Sequence, residues 1–272
     1  MIDATAPGAR RASILKRIQR EGLVSLADLA SEHEVSPVTV HRDLQLLSEE
    51  GLLERVRGGA RSVPERPAPI ETGWNGRLRE AAPEKDAIAA AARELIEDGS
   101  TIFIDASATG LALARAIEVR PPAGLTLVTN SPAIALGLSA ASVHVIVAPG
   151  ELDQHMRVLT GRWTIDFLAH LTFRTAFVSA AGITLDHGLT TSRSGLADTL
   201  NAAAGSAERV VGLMDSTKFE RSSLMTIRSA AALDVIITDD RLDPATVAIF
   251  RAAGVNLRVA SGADEAIDLE AD

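Results

Sequence analysis

Val35-Ser36-Pro37-Val38-Thr39-Val40-His41-Arg42-Asp43-Leu44-Gln45-Leu46-Leu47 has the composition of a helix with one face for packing and another for contact. Ser36 is a good N-cap, and Pro37 falls at the first helical position, where its missing N–H costs nothing. Val40, Leu44 and Leu47 recur at i, i+4 and i+7, whereas Thr39, His41, Arg42 and Gln45 point away from that stripe. Such a helix by itself is only an amphipathic surface element, so its neighbours decide what it is for.

Upstream, Ser13 to Arg20 carries Ile14, Leu15 and Ile18 at helical spacing before Gly22 stops it. Ser25 caps a short second helix, Leu26 to Glu32, whose first turn holds Asp28 where the helix dipole favours negative charge. Helix, short helix, turn and helix is the helix-turn-helix arrangement, with the helix beginning at Ser36 as the one presented to DNA. Downstream, Gly51 ends that helix, and Leu52 to Val56 and Ala60 to Val63 read as two short strands around Arg57-Gly58-Gly59. The hairpin predicts a basic wing.

Residues 11 to 63 resemble the winged helix-turn-helix of the DeoR family of bacterial transcription regulators. The family pattern V-S-x-x-T-I-R-R-D-L, then G-x-L-x-R, then G-G-A is followed at Val35 to Leu44, Gly51 to Arg55 and Gly58 to Ala60. One position departs: His41 stands where the family has the first arginine of a pair, and histidine carries less charge at neutral pH. Arg42 is retained, and its planar fork suits a guanine edge or a phosphate, while Thr39 can reach either and Ser36 with the helix N-terminus offers donors to the backbone. The expected DNA-contacting set is Ser25, Ser36, Thr39, His41, Arg42, Gln45, Arg57 and Gly59, and the partner is double-stranded operator DNA.

The 272-residue length predicts about two domains. No apolar run approaches the roughly 20 residues that a membrane helix requires. With no cysteine, disulfides and thiolate metal sites are excluded, and nothing in the spacing of the six histidines calls for a metal or cofactor. Residues 1 to 10 lack the apolar core of a secretory signal and read as a loose tail, so the cytoplasm is the expected compartment. A net charge of −9 argues against nucleic acid only until it is divided: residues 1 to 62 hold nine basic and nine acidic side chains, so the remainder supplies the whole deficit.

Proline-rich residues 64 to 76 read as a stiff connection between domains. Beyond it, over residues 77 to 260, a helix at Lys85 to Ile96 precedes apolar strands at Thr101 to Ile104, Leu125 to Thr129, Val143 to Ala148, Ala176 to Ser179, Val210 to Met214, Val235 to Thr238 and Asn256 to Val259. Helical patterns lie between them at Thr109 to Glu118, Pro132 to Ser139, Thr164 to Leu171, Leu196 to Ala207 and Pro244 to Ala253. This alternation predicts an α/β domain with a mostly parallel, Rossmann-like sheet covered on both faces. Residues 261 to 272 form an acidic tail.

In such sheets ligands bind beyond the carboxyl ends of the strands. Asp105-Ala106-Ser107-Ala108-Thr109-Gly110, Thr129-Asn130-Ser131 and Asp215-Ser216-Thr217-Lys218 each follow a strand there. Small hydroxyl residues at helix N-termini favour anions and Lys218 adds a cation, which suits a phosphorylated small molecule. As ordinary readings, Ser107, Thr109 and Ser131 are helix caps, Asn130 a turn residue and Lys218 a solvated charge.

The same residues resemble the effector-sensing domain of the DeoR family, which is similar in fold to ribose-5-phosphate isomerases and coenzyme A transferases. The matching elements are Asp105 to Thr109, Thr129-Asn130, Pro149-Gly150, Phe177 to Gly182 with Gly188 to Thr191, Asp215 to Phe219 and Ile237 to Asp239. The loop Asp105 to Thr109 lacks the family's usual glycine and one hydroxyl, since Ala108 replaces a threonine or serine, and Pro149 replaces a glycine. The resemblance implies an effector site built from Asp105, Ser107, Thr109, Asn130, Ser131, Gly182 and Lys218. It also implies a regulator of a carbohydrate-use operon, most simply a repressor, modulated by a sugar phosphate or related metabolite. Paired half-sites require a homo-oligomer, a dimer or tetramer. A second reading is an isomerase-like enzyme with a DNA tether, using Asp105, Asp215 and Lys218 for proton transfer and charge stabilisation.

Overall fold

Ile14 and Ile18 sit on the inner face of a helix longer than their spacing suggests: α1 runs Pro7–Glu21. This computed structural model describes residues 7–49, 52–56, 58–61, 73–139 and 142–260, in two units divided between Arg77 and Leu78. Residues 7–10, expected in a loose tail, are therefore helical, and the reason is Arg10. Its side chain is buried and its Nε donates to Asp43 Oδ2 at 2.6 Å, so the first helix has a polar anchor ahead of its apolar stripe.

The remaining elements of the first unit are β1 (Leu23–Ser25), α2 (Leu26–Glu32), α3 (Pro37–Glu49), β2 (Glu54–Val56) and β3 (Gly59–Arg61). Ile14, Ile18, Leu29, Val40, Leu44, Leu47 and Leu53 share one core. Each large apolar side chain so buried contributes roughly 1.5–3 kcal/mol. The wing has three strands, not two, in the order β1-β3-β2 and antiparallel throughout. The unexpected strand is β1, which is too short to show alternation. Arg57 and the end of the expected second strand lie outside the described residues.

After α4 (Trp74–Arg79), the second unit contains, in chain order, α5 (Ala82–Arg93), β4 (Thr101–Ile104), α6 (Ala108–Val119), β5 (Leu125–Thr129), α7 (Pro132–Gly137), β6 (Val143–Val147), β7 (Glu151–Asp153), β8 (Val158–Thr160) and α8 (Arg162–Ala169). There follow β9 (Thr175–Val178), β10 (Gly182–Thr184), β11 (Gly188–Thr191), α9 (Ser194–Gly205), β12 (Val210–Leu213), β13 (Met225–Arg228), β14 (Val235–Asp239), α10 (Pro244–Ala252) and β15 (Leu257–Ala260). Helix α4 bridges the division and begins inside the stretch expected as connector; residues 64–72 of that connector lie outside the described residues.

Seven of these strands form one parallel sheet in the order β15-β14-β12-β9-β4-β5-β6. Every residue of β9, β12 and β14 is buried, as strands covered on both faces require. The chain builds outward from β4 through β5 to β6, then returns to lay β9 on the other side of β4. That reversal is a topological switch point, and the carboxyl ends of β4 and β9 flank the crevice it opens. Beside the main sheet, β10, β11 and β13 make a small antiparallel sheet and β7–β8 a hairpin.

Candidate DNA interface and effector site

Helix α3 turns Val40, Leu44 and Leu47 inward and leaves His41, Arg42 and Gln45 exposed, as 3.6-residue spacing dictates. Ser36 Oγ accepts from the Thr39 amide at 3.2 Å and lies 2.9 Å from Thr39 Oγ1, so both hydroxyls gather at the amino end of the helix. Ser25 Oγ accepts from the Asp28 amide at 3.1 Å and caps α2 in the same way. Asp43, next to Arg42 in sequence, faces inward to Arg10. Gln45 Nε2 donates to Glu49 Oε1 at 3.0 Å along the outer face.

His41 has a partner that the sequence did not indicate. Arg55 Nη2, on wing strand β2, lies 2.6 Å from His41 Nε2. A wing arginine thus supplies charge beside the helix position where the family carries one. Gly59 is buried, and a Cβ would sit 2.2 Å from the Val24 carbonyl oxygen. Its missing side chain serves the close approach of β3 to β1. Arg57 lies outside the described residues.

At the switch point the loops after β4, β5, β9, β12 and β14 interlock. Asp105 is buried; its Oδ1 accepts from Ser107 Oγ at 2.6 Å and its Oδ2 from the Ser179 amide at 3.0 Å. Ser107 also caps α6 through the Gly110 amide at 2.8 Å, and Ser131 caps α7 through the Ile134 amide at 3.2 Å. Asn130 is fully buried, accepting from the Ala106 amide at 3.1 Å and donating to the Leu159 carbonyl at 3.1 Å, which ties the β7–β8 hairpin to the ligand loop. Met156 and Val158 of that hairpin segment pack on Ala106. Asp105, Ser107, Asn130 and Ser131 therefore build the walls of the site through caps and braces. Thr109 is fully buried at the start of α6, and its Oγ1 has no hydrogen-bond partner among the described residues.

Lys218 lies in a single turn after β12. Its Nζ donates to Ser179 Oγ at 2.8 Å and stands 3.7 Å from Asp215 Oδ2. A second ammonium, Lys85 Nζ on α5, stands 3.7 Å from the same oxygen and also donates to the Glu80 carbonyl. Burial is the largest influence on Lys85 and lowers its pKa, with Asp215 opposing. Burial would raise the Asp215 carboxyl, but Lys218, the Thr217 hydroxyl and Lys85 together hold it below the usual carboxylate value. Asp239, at the end of β14, accepts from the Ser216 amide at 2.7 Å and the Arg241 amide at 3.1 Å, and Arg241 pairs with Glu84 beside Lys85.

Lys85, Ser179 and Asp239 were not among the expected site residues. Lys85 sits on an alanine-rich helix where a lysine reads as solvated, and only the folded chain brings it to Asp215. Ser179 follows β9 and Asp239 ends β14, and that position was the available signal. Gly182 begins β10 and pairs with Thr190 of β11, and a Cβ there would meet the Arg221 carbonyl oxygen at 2.4 Å, so close backbone approach explains the glycine. No group of three or more histidine and acidic residues is arranged to hold a metal, and no helix is long and apolar enough to cross a membrane, among the described residues.

Comparison with known proteins agrees with both halves. Residues 10–66 match the DeoR-like helix-turn-helix domain and residues 80–240 the DeoR C terminal sensor domain. The transcriptional regulator GolR of Listeria innocua is 29% identical over 93% of this chain and 99% of its own. The glycerol-3-phosphate regulon repressor of Escherichia coli is 30% identical over 85% and 90%, and the transcriptional regulator IolR of Bacillus subtilis 32% identical over 83% and 88%. These relatives are named as regulators and repressors, not as enzymes. Ribose 5-phosphate isomerase A of Methanocaldococcus jannaschii overlaps 52% of this chain and 55% of its own at 15% identity with a TM-score of 0.38, too distant a likeness to argue from. With a winged helix-turn-helix before a parallel-sheet sensor and both domain families matched in order, the chain belongs to the DeoR family of DNA-binding transcriptional regulators.

Proposed function

We propose that this protein represses a carbohydrate-use operon and that its operator affinity falls when a sugar phosphate or related anionic metabolite occupies the switch-point site. The observation carrying the effector half is the position of Lys218, partly exposed beside Ser179 and Asp215 where strand order reverses. A partly exposed cation, the amino ends of α6 and α7 and the buried Thr109 hydroxyl favour a phosphorylated polyol. The names of the relatives, among them a glycerol-3-phosphate regulon repressor and a lactose phosphotransferase system repressor, support the same substrate class.

On the DNA side, Thr39, Arg42 and Gln45 of α3 reach base edges, Ser36 and Ser25 meet phosphates, and the Arg55–His41 pair adds charge from the wing. A ligand shifts this equilibrium only by its differential affinity for the DNA-competent and incompetent arrangements. Operator half-sites about 34 Å apart call for paired wings, hence a homodimer or homotetramer acting in the cytoplasm. Gel retardation of the promoter fragment upstream of the protein's own operon, with ribose 5-phosphate, glycerol 3-phosphate or their free polyols, tests this. Retention released by one phosphate ester is expected; retention that no compound alters refutes the effector half.

A further inference from the structure

At the other end of the parallel sheet from Asp105 and Asp215, the amino ends of β12, β14 and β15 border an open cleft of about 540 Å³. Three arginines line it: Arg209 just before β12, Arg251 in the last turn of α10 and Arg258 on β15. Arg209 Nη2 donates to the Leu95 carbonyl at 2.9 Å, and Arg251 Nε and Nη2 both donate to the Leu257 carbonyl, at 3.2 and 3.0 Å. Leu95 and Leu257 line the same cleft, so their carbonyls hold two guanidinium groups at its wall. A carbonyl satisfies an N–H without cancelling the charge behind it. Among the described residues none of the three arginines makes an ion pair with a carboxylate, and Arg209 Nε is buried without a hydrogen-bond partner. The acidic residue of the lining, Asp234, has its Oδ2 on the Val210 amide at 2.7 Å. Three cations against one anion leave two net positive charges around the cleft.

We infer that this cleft is a second ligand site, for a small anion carrying two or more phosphate or carboxylate groups. Its volume lies in the range of about 300–1,000 Å³ that small-molecule sites occupy. Planar guanidinium forks suit the oxygens of both groups, and a dianion matches the net charge of the lining. Bracing of the fold accounts for the carbonyl contacts of Arg209 and Arg251, but the Arg258 side chain makes no hydrogen bond or ion pair among the described residues, so bracing does not account for it. The inference is independent of the effector reading, because none of these residues belongs to the loops at the switch point.

The test is calorimetric titration of the full-length protein with pyrophosphate and with citrate in about 0.15 M salt, where scattered surface charges are screened. Wild type is expected to bind at least one of the two, and Lys218→Ala to retain that binding, since the effector site lies at the opposite end of the sheet. Arg258→Gln and Arg209→Gln should each weaken the anion at least about tenfold, the scale of one lost charge-assisted interaction. Arg258 is exposed and unbraced, so its variant supplies the test if Arg209→Gln does not fold. Binding in this pattern supports the site, and the tighter of the two anions assigns its ligand to phosphate or to carboxylate chemistry. Failure of wild type to bind either anion, unchanged binding by a folded Arg258→Gln protein, or binding lost in Lys218→Ala would each overturn the inference.

Discussion

Arg10→Met is the perturbation whose cost follows most directly from the geometry. Arg10 Nε and Asp43 Oδ2 are 2.6 Å apart with side chains 8% and 6% exposed, so the pair joins α1 to the contact helix out of water. Deleting one partner of a buried pair leaves the other charge unpaired, at about 3–5 kcal/mol, whereas replacing both by apolar groups is often neutral. A unit of the length matched at residues 10–66 has a total stability of only about 3–9 kcal/mol. Arg10→Met should therefore bring the DNA-reading unit to the edge of unfolding, and Arg10→Met/Asp43→Leu should recover most of the loss. Urea unfolding followed by amide hydrogen exchange in α3 reads the unit separately from the sensor, and the cycle isolates the coupling. A single variant within about 1 kcal/mol of wild type, or a double variant no better than the single, would refute the claim that a desolvated pair fixes α3.

Arg42→Ala should lose about 1–3 kcal/mol of operator discrimination per site, visible in quantitative footprinting. Gly59→Ala drives a Cβ against the Val24 backbone and should lower the unfolding free energy of the first unit by about 2 kcal/mol or more, read by urea unfolding. Lys218→Ala should blunt release of operator by the phosphate ester that wild type recognises, measured by gel retardation. For pH, Asp215 has a folded-state value below its unfolded one, so the stability it contributes is whole above the unfolded value of about 4 and is lost as pH falls through the depressed value. Asp215→Asn should accordingly lose less stability than wild type on acidification below about pH 4, followed by denaturant midpoints; parallel acid profiles would contradict the assignment.

What could be read from the chain alone was whatever local chemistry dictates. Ser36-Pro37 with Val40, Leu44 and Leu47 specifies a capped amphipathic helix without help from elsewhere, and the apolar runs at Phe177 and Ile236 specify buried strands. Strands of three residues such as β1, β7 and β10 have no periodicity to detect. Arg10 precedes the first apolar repeat and so read as tail, and its role depends on Asp43, 33 positions away. Lys85 likewise looks solvated until the sheet closes and delivers Asp215. The loop residues Asp105, Asn130 and Ser131 were legible as a cluster, but their engagement as caps and braces depends on hydrogen bonds from Ser179, Ala106 and Ile134 that only the folded chain supplies.

The central claim is that α3 reads duplex DNA. Selection of binding sites from a random double-stranded pool by the full-length protein, run beside Arg42→Ala, tests it most directly. The account predicts that wild type enriches a two-fold symmetric sequence with half-sites about 34 Å apart or a multiple of that, and that Arg42→Ala loses the enrichment. A pool left random by wild type, or the same sequence enriched by both proteins, would contradict it.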